Sequence, residues 1–232
     1  MERKRRILFL ACGAALSAAL AVPPGASAET LAYLIGDAAR YVYSSDGSVR
    51  FDSFQYVPTV GAPNAADVTI LPHASVLQGF LLEGTFSVIN GNSLNALLGY
   101  NATVVSSDAS FVFSEAKLNL VESLATGSWS PSFGSSAFVA EKVDSLALGN
   151  LSVATLTVAQ SAVQEPVLTD LEPLMNFGKA LGVLTNIGLT AMPGAMSEAT
   201  VKKFSVNFEV VPEPASGLLL LGLCGVAALR RR

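Results

Sequence analysis

The sequence is poor in cysteine and histidine. Its two cysteines, Cys12 and Cys224, lie in apolar segments near the two ends, and the body between them, residues 29–211, has none. Without cysteine the body forms no disulfide and no thiolate metal site. His73 is the only histidine, which excludes metal sites built from several histidines. A body of this length can fold on a hydrophobic core alone, without staples.

Basic residues are also scarce in the body. Residues 29–211 hold seven basic residues against sixteen acidic ones, a formal charge of −9, whereas the whole chain carries −4. The remaining basic residues are concentrated at the two ends. Because nucleic-acid binding requires phosphate neutralisation by clustered Lys and Arg, this charge argues against a nucleic-acid partner.

The first 28 residues have the three parts of an export signal. Met1–Arg6 is basic, Ile7–Val22 is apolar, and Pro23–Gly25 breaks the helix. Ala26 and Ala28 then place small residues where signal peptidase reads the chain. The pattern predicts a signal helix cleaved after Ala28; an uncleaved membrane anchor is the alternative.

The last residues form a second targeting segment, residues 212–232. Its motif is formed by Val211, the last residue of the body, with Pro212, Glu213 and Pro214; an apolar block at 215–229 follows, and Arg230, Arg231 and Arg232 end the chain. About 15 apolar residues make a helix of roughly 22 Å, short of the ~30 Å hydrocarbon core, so we expect a marginal single transmembrane helix. Each arginine costs about 2.5–3.5 kcal/mol at the bilayer centre, which keeps all three in the cytoplasm. The two prolines favour extended backbone in the residues before them, a form that a processing enzyme can grip.

This arrangement of Pro-Glu-Pro, short apolar helix and terminal arginines resembles the PEP-CTERM sorting tail, which is also described as the C-terminal segment of some ice-binding proteins. The resemblance implies recognition by an exosortase-type membrane transpeptidase in the inner membrane of a Gram-negative bacterium. It further implies delivery of the body to the cell surface or extracellular matrix. A plain tail anchor that is never cut is the alternative.

Alternation of period two runs through the body and predicts an all-β fold. We expect eight to ten strands arranged as a β-sandwich of jelly-roll type. The predicted strands include Val49–Phe51, Ala66–Leu71, Phe80–Ile89, Tyr100–Ser106, Phe111–Leu120, Ala137–Val143, Val153–Ala159 and Phe204–Val210. Leu171–Ala191 is ambiguous, and we expect a short helix or turn followed by a strand. Gly47–Val49, Gly84–Phe86, Tyr100–Val105 and Val206–Val211 are similar to strands of bodies often attached to this tail, a likeness that implies no activity.

Catalytic candidates are few in the body. A Ser-His-Asp triad would need His73, yet no Gly-x-Ser-x-Gly elbow occurs, so we expect His73 to be a solvated or packing residue. Ser114 and Lys117 match Ser-x-x-Lys without its companion motifs, and we interpret the match as chance. Trp129, between Gly127 and Pro131, could stack on a sugar ring; burial in the sandwich is the commoner fate of such a residue.

Carboxylates offer two further hypotheses. Calcium could bind oxygens of Asp46, Asp52, Asp67 and Asp108, although turn formation explains these residues more simply. A glycosidase pair could be drawn from Glu141 with Asp144, or from Glu115 with Glu122. Neither pattern is specific, so the sequence predicts no catalytic, metal or cofactor site.

Four functions follow from these observations, in order of preference, and a secreted hydrolase is the last of them. The first is a non-enzymatic surface or matrix protein. The second is a carbohydrate-binding module that contacts exopolysaccharide through Trp129. The third is ice binding, which the tail's other description suggests but which the isolated Thr155 and Thr157 do not support, since no threonine ladder repeats.

Overall fold

The computed structural model describes residues 27–73, 76–105, 111–130, 133–174, 178–194 and 196–212. The signal helix and the short transmembrane helix predicted at the two ends lie outside these residues. Within them, no helix has the length and apolar character needed to cross a membrane.

The described chain is almost entirely extended. The elements are β1 (Glu29–Thr30), α1 (Leu31–Ile35), β2 (Tyr41–Tyr43), β3 (Val49–Pro58), a 3₁₀ turn (Ala65–Asp67), β4 (Thr69–His73), β5 (Val76–Ile89), β6 (Ser93–Val104), β7 (Phe111–Thr126), β8 (Ser128–Ser130), β9 (Phe133–Gly134), β10 (Ser136–Ser145), β11 (Leu151–Ser161), β12 (Thr169–Pro173), β13 (Ala180–Thr190) and β14 (Glu198–Pro212). Two six-stranded antiparallel sheets hold all of the strands except β8 and β9, which pair with each other. The predicted all-β sandwich is confirmed.

The order of the strands within the two sheets defines the topology of the sandwich. The first sheet runs β1-β4-β5-β14-β7-β12, and the second runs β11-β10-β13-β6-β3-β2. The eight strands β5, β6, β7 and β10–β14, numbered one to eight along the chain, give the orders 1-8-3-6 and 5-4-7-2. This is the arrangement of an eight-stranded jelly roll. β1 and β4 extend one edge of the first sheet, while β3 and β2 extend one edge of the second.

Alternating side chains fill the space between the sheets because successive residues of a strand point to opposite faces. In β6 every second residue from Leu94 to Val104 is buried. An aromatic cluster joins the two sheets: the ring centroids of Phe51 and Phe80 lie 4.9 Å apart, and those of Phe80 and Tyr100 lie 5.1 Å apart, both edge to face. These contacts place the middle of the core between β3, β5 and β6.

Phe80 is fully buried at the centre of this cluster. We expect Phe80→Ala to lower the free energy of unfolding by about 3–5 kcal/mol, because the ring's transfer energy is lost and a cavity is left. Val60→Ala, at a side chain that is 99% exposed, is the control and should change stability by less than about 0.5 kcal/mol. Guanidinium unfolding of both variants measures the difference, and equal midpoints would contradict this account of the core.

Several boundaries differ from the sequence prediction. Ala66 and Asp67 were predicted to begin a strand, but they lie in the 3₁₀ turn, and β4 starts at Thr69. The strand predicted at Tyr100–Ser106 starts earlier, at Ser93, and ends at Val104; Ser106 itself lies outside the described residues. The predicted number of strands, eight to ten, is lower than the fourteen found in the described residues. Short strands such as β1, β2 and β9 have too few residues to show alternation.

The segment 171–191 contains two strands in its described residues. The helix alternative is wrong for Leu171–Pro173, which belongs to β12 and pairs with β7. The strand alternative is confirmed for Ala180–Thr190, which form β13. Leu181 and Leu184 share the helical spacing by coincidence, because in β13 they lie on opposite faces, Leu181 buried and Leu184 exposed.

Candidate functional site: the junction between body and tail

The last strand of the sandwich leads directly into the predicted sorting motif. β14 lies between β5 and β7 in the first sheet, and its final residues pair with β7, with Val211 opposite Val112 and Pro212 opposite Phe111. The hydrogen-bonded ladder with β5 ends earlier, at Asn207 opposite Gly79. Val211 and Pro212 are therefore both the end of a central strand and the beginning of the motif.

Side chains secure the end of β14 where β5 no longer pairs with it. The backbone N–H of Val210 donates to the Gln78 Oε1 atom at 2.8 Å, and the Gln78 N–H donates to the Asn207 Oδ1 atom at 3.2 Å. On the other side the register with β7 shifts between Glu209 and Val210. This irregularity divides the pairing of β14 with β7 into a long inner part and a short outer part at residues 210–212.

The remainder of the predicted motif, Glu213 and Pro214, lies outside the described residues, as do Arg230, Arg231 and Arg232. At the other end Ala26 is also outside. Ala28 is described and exposed, and the next residue, Glu29, begins β1 and pairs with Ile70 of β4. A cut after Ala28 would leave the first strand complete.

Trp129 lies in β8, which pairs with β9 to form the small hairpin between β7 and β10. His73 is the last residue of β4 and is paired with Val76. The side chains of both residues fall outside the described part, so the predicted sugar stacking by Trp129 stays a prediction.

The two carboxylate pairs considered from the sequence do not converge. Glu141 points into the core and is 1% exposed, whereas Asp144 lies on the outer face and binds Lys142 at 3.0 Å. Glu115 and Glu122 are seven residues apart on β7, which separates them by roughly 20 Å. A glycosidase pair requires about 5–9.5 Å between its carboxyl groups, so Glu115 and Glu122 do not provide one.

The predicted calcium ligands are dispersed in the same way. Asp46 accepts hydrogen bonds from the Ser48 backbone at 3.0 Å and from the Ser44 hydroxyl at 2.6 Å, as expected for a turn residue. Asp52 pairs with Arg50 at 2.8 Å, and Asp67 lies in the 3₁₀ turn. Asp108 lies outside the described residues. Among the residues that the structure describes, no three acidic, histidine or cysteine side chains gather as a metal site would require.

Glu141 carries a buried carboxyl group, a burial that was not among the predictions from the sequence. The hydroxyls of Tyr100 and Thr185 both donate to the Glu141 Oε1 atom, at 3.0 and 2.8 Å, while Oε2 has no partner among the described residues. Burial raises the pKa of Glu141 to about 7, against the lowering effect of the two hydroxyl bonds. The alternation within Ala137–Val143 could have shown this, because it places Glu141 on the same face as Val139 and Val143.

These observations define an all-β sandwich protein whose final strand continues into a C-terminal targeting segment. Residues 210–232 match the PEP-CTERM protein-sorting motif. The predicted resemblance of the tail is thereby confirmed, and the motif implies export and a membrane-anchored precursor that an exosortase processes. No curated protein matches the chain.

Searches of solved structures return distant superpositions. The enzymatically active domain of tailspike protein 4 from bacteriophage CBA120 aligns over 78% of this chain and 21% of its own, at 8% identity and a TM-score of 0.27. A family 11 carbohydrate-binding module from Clostridium thermocellum aligns over 69% and 89%, at 10% identity and a TM-score of 0.27. A family two carbohydrate esterase from Cellvibrio japonicus aligns over 70% and 36%, at 12% identity and a TM-score of 0.21. This chain thus spans about a fifth of the first of these proteins, and superpositions at such TM-scores assign it no function.

Proposed function

We propose that this chain is the precursor of a non-enzymatic surface or matrix protein of a Gram-negative bacterium. Signal peptidase removes residues 1–28 during export. The apolar block at 215–229 then holds the precursor in the inner membrane, with the terminal arginines in the cytoplasm. An exosortase-type transpeptidase cuts at the motif and transfers the sandwich to the cell surface or extracellular matrix.

The observation that carries the proposal is the motif match at 210–232 at the outlet of β14. Only two residues, Glu213 and Pro214, separate the end of β14 from the apolar block. Two residues can span at most about 7 Å. The folded body is thus held close to the membrane surface, within reach of a membrane-embedded enzyme.

The acidity of the body suits a matrix destination. A formal charge of −9 on residues 29–211 keeps the released domain soluble and repels anionic polymers unless divalent cations bridge them. The matrix partner that fits this charge is accordingly a neutral exopolysaccharide.

Substitution of the motif beyond the strand tests the proposal. We expect the double variant Glu213→Ala/Pro214→Ala to accumulate as an uncut precursor in the inner-membrane fraction, because the enzyme loses the residues that define the motif. Immunoblots of membrane and extracellular fractions from the producing bacterium, with an epitope inserted in the exposed 59–62 turn, measure this. The control is Glu209→Ala, which lies one residue before the matched segment and should be released normally. Release of the double variant at the wild-type rate would refute processing at the motif.

A further inference from the structure

The outer face of the second sheet carries a depression of about 270 Å³ that lies away from the tail junction. It is formed where β3, β6, β13 and β10 run side by side. The residues that line it include Gln55, Gly99, Asn101, Asp144, Gly182 and Leu184.

Two glycines make the floor of the depression. Gly182 of β13 pairs with Asn101 on one side and with Asp144 on the other, so a residue without a side chain separates an amide from a carboxylate. Gly99 lies two residues before Asn101 on β6, where it pairs with Gln55 of β3 and with Leu184 of β13. Leu146 covers Gly182, since its Cδ2 atom lies 3.1 Å from the position of an added Cβ, whereas at Gly99 that position has nothing nearer than 3.8 Å. The missing side chain of Gly99 therefore opens the sheet surface to close approach by a ligand.

Polar groups with unused hydrogen-bonding capacity surround this floor. The side-chain amides of Gln55 and Asn101 make no hydrogen bond to any other residue that the structure describes. Asp144 gives one oxygen to the Lys142 ammonium at 3.0 Å, while its Oδ1 atom is shielded from solvent and has no partner in the described part of the chain. The amides of Gln55 and Asn101 are thus available to a ligand, whereas the Asp144 Oδ1 atom has almost no accessible surface that a ligand could contact.

A β-bulge brings Gln55 to this position. The register of β3 with β6 shifts between Asp52 and Gln55, and Ser53 within the shift has a φ of 57°. A bulge inserts an extra residue and redirects the side chains that follow it. Here it turns Gln55 towards the outer face beside Gly99, at a cost in backbone strain that packing of Phe54 into the core helps to offset.

We propose that this depression binds a neutral glycan. Sugar hydroxyls both donate and accept hydrogen bonds, and the side-chain amides of Gln55 and Asn101 can do the same. Leu184, which is 45% exposed, offers an apolar contact for the face of a ring lying over Gly99. An anionic ligand is disfavoured by Asp144 and by the acidic body, and a single carboxylate already paired with Lys142 provides a poor ligand set for a divalent cation. The inference does not depend on how the tail is processed.

Titration calorimetry on the purified full-length protein in mild detergent tests the site. The probes are cellohexaose, laminarihexaose and mannohexaose as neutral glycans, and hexamannuronate as an anionic one. Gly99→Val fills the depression: an added Cβ would meet nothing nearer than 3.8 Å, at the Gln55 Cβ atom, so the fold should tolerate it. Asn101→Ala removes a hydrogen-bonding group. The control Thr155→Val is nearly isosteric, at an exposed position of β11 outside the depression.

We expect at least one neutral hexasaccharide to bind, with affinity reduced tenfold or more by Gly99→Val and by Asn101→Ala and unchanged by Thr155→Val. Melting temperatures establish that the variants are folded, and if Gly99→Val is not, Asn101→Ala decides. The proposal is overturned if no neutral probe binds, if only hexamannuronate binds, or if folded Asn101→Ala and Gly99→Val bind like the wild type. It is equally overturned if Trp129→Ala abolishes binding while the two depression variants retain it.

Discussion

A disulfide across the end of β14 is expected to leave the precursor uncut. Val112 and Val211 lie directly opposite each other in the antiparallel pair of β7 and β14, and such partners have Cα atoms about 4.5–5.5 Å apart, within the range of disulfides. The double variant Val112→Cys/Val211→Cys, combined with Cys224→Ser to remove the tail thiol, therefore ties the first residues of the motif to β7.

We expect the disulfide to prevent cleavage because the same stretch of backbone takes part in two interactions. Residues 210–212 belong to the matched motif and also to the ladder with β7. A transpeptidase that grips an extended chain competes with β7 for the same backbone groups. The register shift between Glu209 and Val210 separates these three residues from the rest of the ladder, so we expect the competition to be confined to them.

Processing of the oxidised double variant, followed by pulse-chase and immunoblotting, measures the effect. We expect a reduction of at least tenfold in the cut fraction, and recovery when isolated membranes are treated with a reductant. The matched control is a disulfide deeper in the same pair, Ser205→Cys/Asn119→Cys, which leaves the strand end free and should be cut normally. If the Val112–Val211 disulfide forms and processing continues at the wild-type rate, the enzyme reads only residues after Pro212.

Glu141→Gln is expected to remove a pH dependence of stability. The pKa of Glu141 is raised by burial to about 7 in the folded state, from 4.5 in the unfolded chain. Between these two pH values the folded protein keeps the Glu141 proton that the unfolded chain has lost. The contribution of Glu141 to the free energy of unfolding therefore falls as the pH rises through this range and is constant above it. The total loss is about 3 kcal/mol.

A glutamine at position 141 stays neutral at every pH, and its carbonyl oxygen can still accept from Tyr100 and Thr185. We therefore expect Glu141→Gln to match the wild type near pH 4.5 and to exceed it by about 3 kcal/mol near pH 8. Denaturant unfolding at a series of pH values measures both curves. Glu122→Gln, at a half-exposed ion pair with Lys202, is the control and should keep the wild-type slope; the same slope in Glu141→Gln would show that Glu141 ionises normally.

Strand β14 shows what the sequence could predict. Phe204, Val206 and Phe208 alternate with polar residues, and all three are fully buried, because successive residues of a strand point to opposite faces and only every second one faces the core. The same rule puts Glu141 on the face of Val139 and Val143, so its burial could have been predicted, whereas its hydroxyl partners on β6 and β13 come from distant segments. Ala66 and Asp67 also alternate with their neighbours, yet hydrogen bonding within the turn, Asp67 N–H to Asn64 O at 2.9 Å, prevails over that pattern.

The tail motif was predictable because it is a pattern of consecutive residues, which the sequence displays without any tertiary structure. The depression on the second sheet was not, since Gln55, Asn101 and Asp144 become neighbours only through the pairing of β3, β6, β13 and β10. A register error of one residue would turn each of these side chains to the opposite face. No local pattern around any of them fixes that register.

Intact mass measurement of the protein recovered from the cell surface or medium tests the sorting account most directly. The account predicts a polypeptide that starts at Glu29 and lacks the apolar block and the three terminal arginines. Recovery of the same protein with Met1 and Arg232 both present would contradict it.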